Sequence, residues 1–240
     1  LQISIIMKHT LLIKDWLSSF LSLLFPRCCV VCGRPLAKGE ECICTVCNIN
    51  LPRTNYHLRK DNPVERLFWG QIPLERATSF FFYEKGSDFR LILHRLKYGG
   101  QKEIGAIMGR YMAAELLSSH FFQGIDVIIP IPLHKKKQQI RGYNQSEWIA
   151  RGIAAVTGIP IDTESILRKK NTETQTRKSV FERRDNVEGI FELQHPETLA
   201  GKHILIVDDV LTTGSTTLAC ASCLVNVEGI RISILTLATA

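Results

Sequence analysis

One stretch of fourteen residues restricts the fold of this 240-residue chain more than any other: His203-Ile204-Leu205-Ile206-Val207-Asp208-Asp209-Val210-Leu211-Thr212-Thr213-Gly214-Ser215-Thr216. It opens as a β-branched apolar run, the pattern of a strand buried on both faces of a parallel sheet. Two adjacent carboxylates, Asp208 and Asp209, close that strand. A turn of small hydroxyl residues and one glycine follows, then a helical stretch from about Ser215 to Val225. Strand, Thr/Gly turn and helix start together make an anion cradle. Backbone N–H groups and hydroxyls converge on the ligand, and the helix dipole adds roughly half a positive charge. The acids lie beside the anion rather than beneath it and suit sugar hydroxyls or a magnesium ion. The expected ligand is therefore a phosphorylated sugar. A Walker B strand or a phosphoacceptor aspartate pair would share the acids, but neither calls for Thr-Thr-Gly-Ser-Thr next. The chain also has no Gly-Lys-Ser/Thr element to supply a P-loop.

The length allows one large domain, or one domain with a small appendage. With 45% hydrophobic residues, a packed core is expected rather than disorder. The net charge is +7, and its placement matters more than its size. Between His134 and Arg184 stand twelve Lys/Arg and five acids, an excess of seven that equals the charge of the whole chain. Such a local field suits a polyanion, either a pyrophosphate or a nucleic-acid backbone. The plainer alternative is a solvated basic surface.

Six of the eight cysteines fall between Cys28 and Cys47. Cys29-x-x-Cys32 and Cys44-x-x-Cys47, eleven residues apart, read as two knuckles whose four thiolates form a tetrahedral zinc site. Cys28 and Cys42 are spare, and the assignment within the neighbouring pairs is open. A closed site of this kind is structural, and a ribbon this small depends on its metal to fold. The clustering favours a reducing compartment, so a cytoplasmic location is expected. Ahead of the cysteines, Leu12, Trp16, Phe20, Leu23 and Leu24 recur at helical spacing and predict an amphipathic helix that docks on the protein body. Its serine-rich polar face fits a membrane surface poorly. The apolar segment, residues 11–25, contains Lys14 and Asp15 and is too short to span a bilayer. A signal-peptide reading lacks a small-residue cleavage site.

The expected organisation is a helix over 1–25, a zinc-ribbon module over 26–55, a connector over 56–75 and an α/β domain over 76–240. Within the last, Ser79 to Tyr83 reads as a buried strand, with a nucleic-acid stacking platform as the less common alternative. Helices are expected over residues 88–97, ending in a Gly99-Gly100 stop, and over 102–117. The strand beginning near Val127 ends at Pro130 and Pro132. A basic loop with Lys135, Lys136, Lys137 and Arg141 follows, then a helix over 146–156. Strand, basic loop and helix form a βα unit whose loop lies at the carboxyl end of a doubly wound parallel sheet, where such sheets bind ligands. A second strand is expected at Ile166-Leu167. The long polar segment after it, residues 171–186, reads as a lid, or else as an ordinary helix with solvated basic faces. Strands over 190–193 and 230–237 complete the sheet.

The Asp208–Thr216 run resembles the phosphoribosyl pyrophosphate (PRPP) signature of type I phosphoribosyltransferases. Arg141-Gly142-Tyr143-Asn144-Gln145, Thr174-Gln175, Arg183-x-x-Asn186 and the cysteine ribbon narrow the likeness to the ComF/GntX-like branch. The resemblance implies that Asp208 and Asp209 hold the ribose 2′ and 3′ hydroxyls. Thr212, Thr213, Gly214, Ser215 and Thr216 would wrap the 5′-phosphate, and Lys135, Lys136, Lys137 and Arg141 would meet the pyrophosphate together with Mg²⁺. Asn144, Gln145, Gln175, Arg183 and Asn186 carry the family wording around the lid. Two functions are in view. One is phosphoribosyl transfer with pyrophosphate release, linked to DNA uptake and natural competence. The other is a non-catalytic module that binds single-stranded DNA beside a helicase-like competence protein, with PRPP or a nucleotide as regulator.

Overall fold

The computed structural model describes residues 26–169 and 189–240. The helix expected over 1–25 lies outside them, as do Gln175, Arg183 and Asn186 of the expected lid. The chain divides into two compact units, with the boundary between Asn50 and Leu51. In the first, Cys28 pairs with Pro35 across an antiparallel bridge. The short helix α1 (Thr45–Ile49) begins at Cys44, whose sulfur accepts from the Cys47 N–H.

The second unit opens with a single turn at Tyr56–Leu58 and the short helix α2 (Pro63–Arg66). Asn62 and Glu65 close the start of α2 as a reciprocal capping box. The Asn62 amide also donates to the Ala77 carbonyl at 2.9 Å, and Phe68 is fully buried. Residues 56–75, expected as a connector, are thus stitched to the first strand of the sheet. Then follow β1 (Leu74–Phe82), α3 (Arg90–Tyr98), α4 (Glu103–Leu116), β2 (Val127–Pro130), α5 (Lys135–Arg141) and α6 (Gln145–Thr157). The chain continues with β3 (Ile166–Arg168), β4 (Phe191–Leu193), β5 (His203–Leu211), α7 (Ser215–Ser222) and β6 (Arg231–Thr239).

The main sheet is parallel throughout, in the order β1-β6-β5-β2. Both faces are covered, as an all-parallel sheet requires. Val127, Ile129, Ile204, Ile206, Ile232 and Ile234 enter one buried cluster with Cys220 and Leu224. Their alternating neighbours Ile128, Leu205, Val207 and Leu235 are buried toward the other face, where α4 and α6 pack. Those two helices approach at glycines. A methyl group on Gly152 would stand 2.1 Å from the Ala106 carbonyl oxygen, and one on Gly109 would stand 2.3 Å from that of Ile149.

Four sequence expectations change in detail. The segment over 135–141 is a helix rather than a loop. His134 caps its first turn by accepting from the Lys136 N–H, and Gly142 ends it in the left-handed region. Lys and Gln are good helix formers, and the absence of an apolar stripe hid them. Strand β5 does not stop at the acids but continues to Leu211, pairing Asp208 with Thr236 and Val210 with Ala238. The strand expected over 190–193 does not enter the main sheet, whereas β6 does, between β1 and β5. Ile166-Leu167 does not join the main sheet. β3 pairs antiparallel with β4 alone, Ile166 opposite Leu193 and Arg168 opposite Phe191. Among the described residues, no helix is long and apolar enough to cross a membrane.

Candidate functional site

The carboxyl edge of the sheet brings together Asp208, Asp209 and Lys97. Asp208 and Asp209 arrive on β5, and each is fixed by a different neighbour. Ser146, in the first turn of α6, donates its hydroxyl to Asp208 Oδ1 at 2.9 Å, and the Asp209 N–H donates to the same oxygen at 2.8 Å. Asn144 places Ser146: its Oδ1 accepts from the Ser146 N–H, and its Nδ2 donates to the Ile131 carbonyl beyond β2. Lys97, in the last turn of α3, reaches Asp209 Oδ1 at 3.0 Å. Both side chains of that pair are largely buried, so it is screened less than a surface pair.

Burial, joined by the adjacent charge of Asp209, pushes the Asp208 carboxyl up to about 7, against the pull of the Asp209 N–H, Ser146 and Lys97. Arg168, at the end of β3, faces Asp208 electrostatically and lies over the Phe191 ring at 5.3 Å. Burial lowers the pKa of its guanidinium, and the charge of Asp208 opposes that fall. Lys97 thus pairs directly with the acid pair, and Arg168 adds positive charge in its neighbourhood.

The hydroxyl turn completes the cradle. Thr212 and Thr213 are exposed, and Thr213 Oγ1 lies 2.9 Å from Ser215 Oγ. Gly214 begins α7 at φ +74°, in the left-handed region that favours glycine. A methyl group there would also meet the Phe68 ring at 3.3 Å, so residue 68 forms the floor under the turn. Alanine at Gly214 is expected to cost about 1 kcal/mol or more and to weaken anion binding. Thermal unfolding and phosphate titration of the variant check both effects.

Lys135 and Lys136 stand exposed on α5, and Ile140 on the same helix is 88% exposed. Arg141 lies over the Tyr98 ring at 5.5 Å, which brings the end of α5 to the end of α3, one residue from Lys97. Tyr143 donates its hydroxyl to the Leu96 carbonyl at 2.5 Å and ties the same two segments together. Gln145 is buried and its Nε2 has no hydrogen-bond partner among the described residues, an orphan donor at the start of α6. A cleft of about 490 Å³ opens between α3 and the end of β5, lined by Lys97, Val210 and Thr212 among others.

Sequence reasoning found the acids and the turn but missed Lys97, Ser146, Arg168 and Phe68. A lysine just before Gly99-Gly100 reads as an ordinary complement to a helix C-terminus. Ser146 reads only as a helix start, and Arg168 is one cation among many in a basic tract. Phe68 sits in a turn-rich segment with no periodic signal.

In the first unit, the sulfurs of Cys29, Cys32, Cys44 and Cys47 all lie within 4.8 Å of one another, with Cys32 and Cys44 3.7 Å apart. Tetrahedral thiolate coordination of zinc at about 2.3 Å places sulfurs roughly 3.8 Å apart, so this donor set is compatible with structural zinc. Burial would raise the Cys29 thiol, but N–H groups of Cys32, Cys44 and Val31 bring it down to about 7. Burial pushes Cys47 upward, and Cys32 and Cys44 reinforce the rise. Cys28 and Cys42 lie outside the cluster.

A family model described as Phosphoribosyl transferase domain matches residues 145–240, the part that carries the acid pair and the turn. The parallel sheet and that match define the phosphoribosyltransferase-fold class. The DNA utilization protein YhgH of Escherichia coli O157:H7 is 32% identical over 206 residues, covering 80% of this chain and 87% of that protein. Competence protein F of Haemophilus influenzae is 32% identical over 52% of this chain and 57% of its own length. Competence protein ComFC of Bacillus subtilis is 26% identical over 87% of this chain and 82% of its own. The chain belongs to the ComF-like family of phosphoribosyltransferase-fold proteins.

Proposed function

We propose that the second unit binds PRPP at the carboxyl edge of its sheet and transfers the phosphoribosyl group to a nucleophile. The observation that carries this reading is the Asp208–Asp209 pair, held on β5 by Ser146 and Lys97 and followed at once by the hydroxyl turn into α7. Asp208 and Asp209 accept hydrogen bonds from the ribose 2′ and 3′ hydroxyls. Thr212 to Thr216, with the N–H groups opening α7, take the 5′-phosphate. The C1–oxygen bond to pyrophosphate breaks as a bond forms from C1 to the nucleophile, through a transition state of oxocarbenium character. Most of the rate then comes from orienting the sugar and stabilising the charge of the leaving group. Lys135, Lys136, Lys137 and Arg141 on α5 are the groups proposed to meet the leaving pyrophosphate. Adjacent carboxylates beside a phosphate cradle are hard oxygen donors of the kind Mg²⁺ takes alongside substrate phosphates, so the residues present fit that ion. When bound, it would neutralise phosphate charge.

Exchanging Asp208 or Asp209 for asparagine removes a charged acceptor, and such bonds are worth about 1.5–3 kcal/mol. PRPP affinity measured by calorimetry is expected to fall about ten- to hundredfold. Unchanged affinity in both variants would overturn the reading. The raised Asp208 carboxyl adds a pH signature. The sugar hydroxyls need the carboxylate, so affinity should rise as pH climbs through about 7. The stability of the ligand-free unit runs the other way. Folded Asp208 holds its proton to about 7, while the unfolded chain releases it near the ordinary value, about 4. That contribution to stability therefore declines between those two pH values and is flat above.

A second reading, in which the protein acts in DNA uptake by binding single-stranded DNA beside a helicase-like competence partner, draws on the names of its relatives and on one surface. Exposed Tyr98 and Ile140 stand among Lys135, Lys136 and Arg141, and aromatic faces set in a basic track suit unstacked bases. Affinity for an oligothymidylate should fall steeply with added salt, and the triple change Lys135→Ala/Lys136→Ala/Lys137→Ala should make the slope shallower by up to about 2. A flat salt response would remove this reading.

A further inference from the structure

We infer that the cleft beside Asp209 is the acceptor subsite and that it takes a small planar ring bearing a carboxylate. The inference rests on the phosphoribosyl reading and specifies the class of its second substrate. The cleft has a volume of about 490 Å³, room for a molecule of one or two rings in a site of ordinary ligand size. Val210 and Thr212, which follow Asp209 and lead into the phosphate turn, line it together with Lys97, the partner of Asp209, so a molecule seated there would lie next to the bound sugar.

The wall is helix α3, which presents Arg90, His94, Lys97 and Tyr98 to the cleft. Tyr83, just beyond β1, faces it as well, and its backbone is pinned by donation to the Thr239 carbonyl at 2.6 Å. The lining thus holds two cations and an imidazole, and no aspartate or glutamate among the described residues. Arg90 is steadied by donating to the Lys85 carbonyl at 2.6 Å, which leaves the rest of its guanidinium fork for a carboxylate. His94 and Tyr98 stand 5.3 Å apart with their rings inclined by 50°, giving the wall aromatic edges and faces for a planar guest.

Lys97 links the two halves of the site. Its ammonium is engaged with Asp209 Oδ1. A ribose hydroxyl donating to Asp209 takes over part of that interaction and turns the lysine charge toward the cleft. A carboxylate on the guest would accept charge-assisted hydrogen bonds from Arg90 and Lys97, which a neutral heterocycle accepts more weakly. The preference follows from the donors in the lining rather than from shape.

The test uses the full chain saturated with PRPP and Mg²⁺. Two matched pairs that differ in a carboxylate, nicotinate against nicotinamide and orotate against uracil, are titrated by calorimetry, with pyrophosphate release followed in parallel. The carboxylate member of at least one pair is expected to bind about tenfold or more tightly, and Lys97→Met and Arg90→Gln should each shrink that ratio. Arg90 is a surface residue, so its variant keeps the test valid should Lys97→Met fail to fold. Equal affinity within both pairs, or PRPP binding with no binding of any acid, overturns this inference and leaves the phosphoribosyl reading standing. Absence of PRPP binding itself overturns that reading and this one with it.

Discussion

Gly152→Ala is expected to lower the melting temperature of the second unit by about 6–12 °C. Its added methyl group would lie 2.1 Å from the Ala106 carbonyl oxygen and 2.9 Å from the Arg110 nitrogen. Both obstacles are helix backbone, which cannot swing aside as a flexible side chain can. Overpacking in a core able to adjust costs about 1–3 kcal/mol, and this contact falls at or beyond the top of that range. At about 2–4 °C per kcal/mol for a domain of this size, the shift is large and easily read by circular dichroism. The consequence reaches the site as well. Helix α6 carries Asn144 and Ser146, and Ser146 fixes Asp208. Separating α6 from α4 therefore moves a hydrogen bond of the acid pair, and PRPP affinity should weaken with stability. An unchanged melting temperature would mean that the close approach of α4 to α6 is misplaced.

Metal removal should act on the other unit alone. Residues 26–50 have few large apolar groups to bury, and their four clustered thiols form the donor set of a closed zinc site. Structural zinc contributes about 10–16 kcal/mol in small zinc-finger peptides at neutral pH, far more than a segment of this length gains from burial. A strong zinc chelator, or Cys44→Ser, is therefore expected to unfold these residues and open them to protease within minutes. The parallel sheet should keep its cooperative melting transition. Purified chain should contain about one zinc ion. Intact protection of this segment in metal-free protein would contradict the zinc reading.

The sequence made some features legible for clear physical reasons. The β5 run is apolar without alternation because both sheet faces are covered, and that alone marks a parallel sheet. The acid pair and Thr-Thr-Gly turn could be read because local chemistry fixes their roles together. The cysteine spacing is legible for the same reason, since two short knuckles are local structures. What stayed hidden depends on contacts between distant segments. Lys97 acquires its meaning from Asp209, more than a hundred residues further along, and Ser146 acquires its own from Asp208. Ile166-Leu167 is apolar enough for any strand, and only the pairing of Arg168 with Phe191 decides that it leaves the main sheet. Helix α5 shows no stripe because its residues are largely exposed, so periodicity had nothing to report.

The most direct test of the central claim is a calorimetric titration of the full chain with PRPP in the presence of Mg²⁺, with ribose 5-phosphate and pyrophosphate as references. The cradle predicts saturable binding at one site per chain, tighter for PRPP than for either fragment and lost at least tenfold in Asp209→Asn. No binding of PRPP by folded, zinc-loaded protein, or equal binding by wild type and Asp209→Asn, would contradict it.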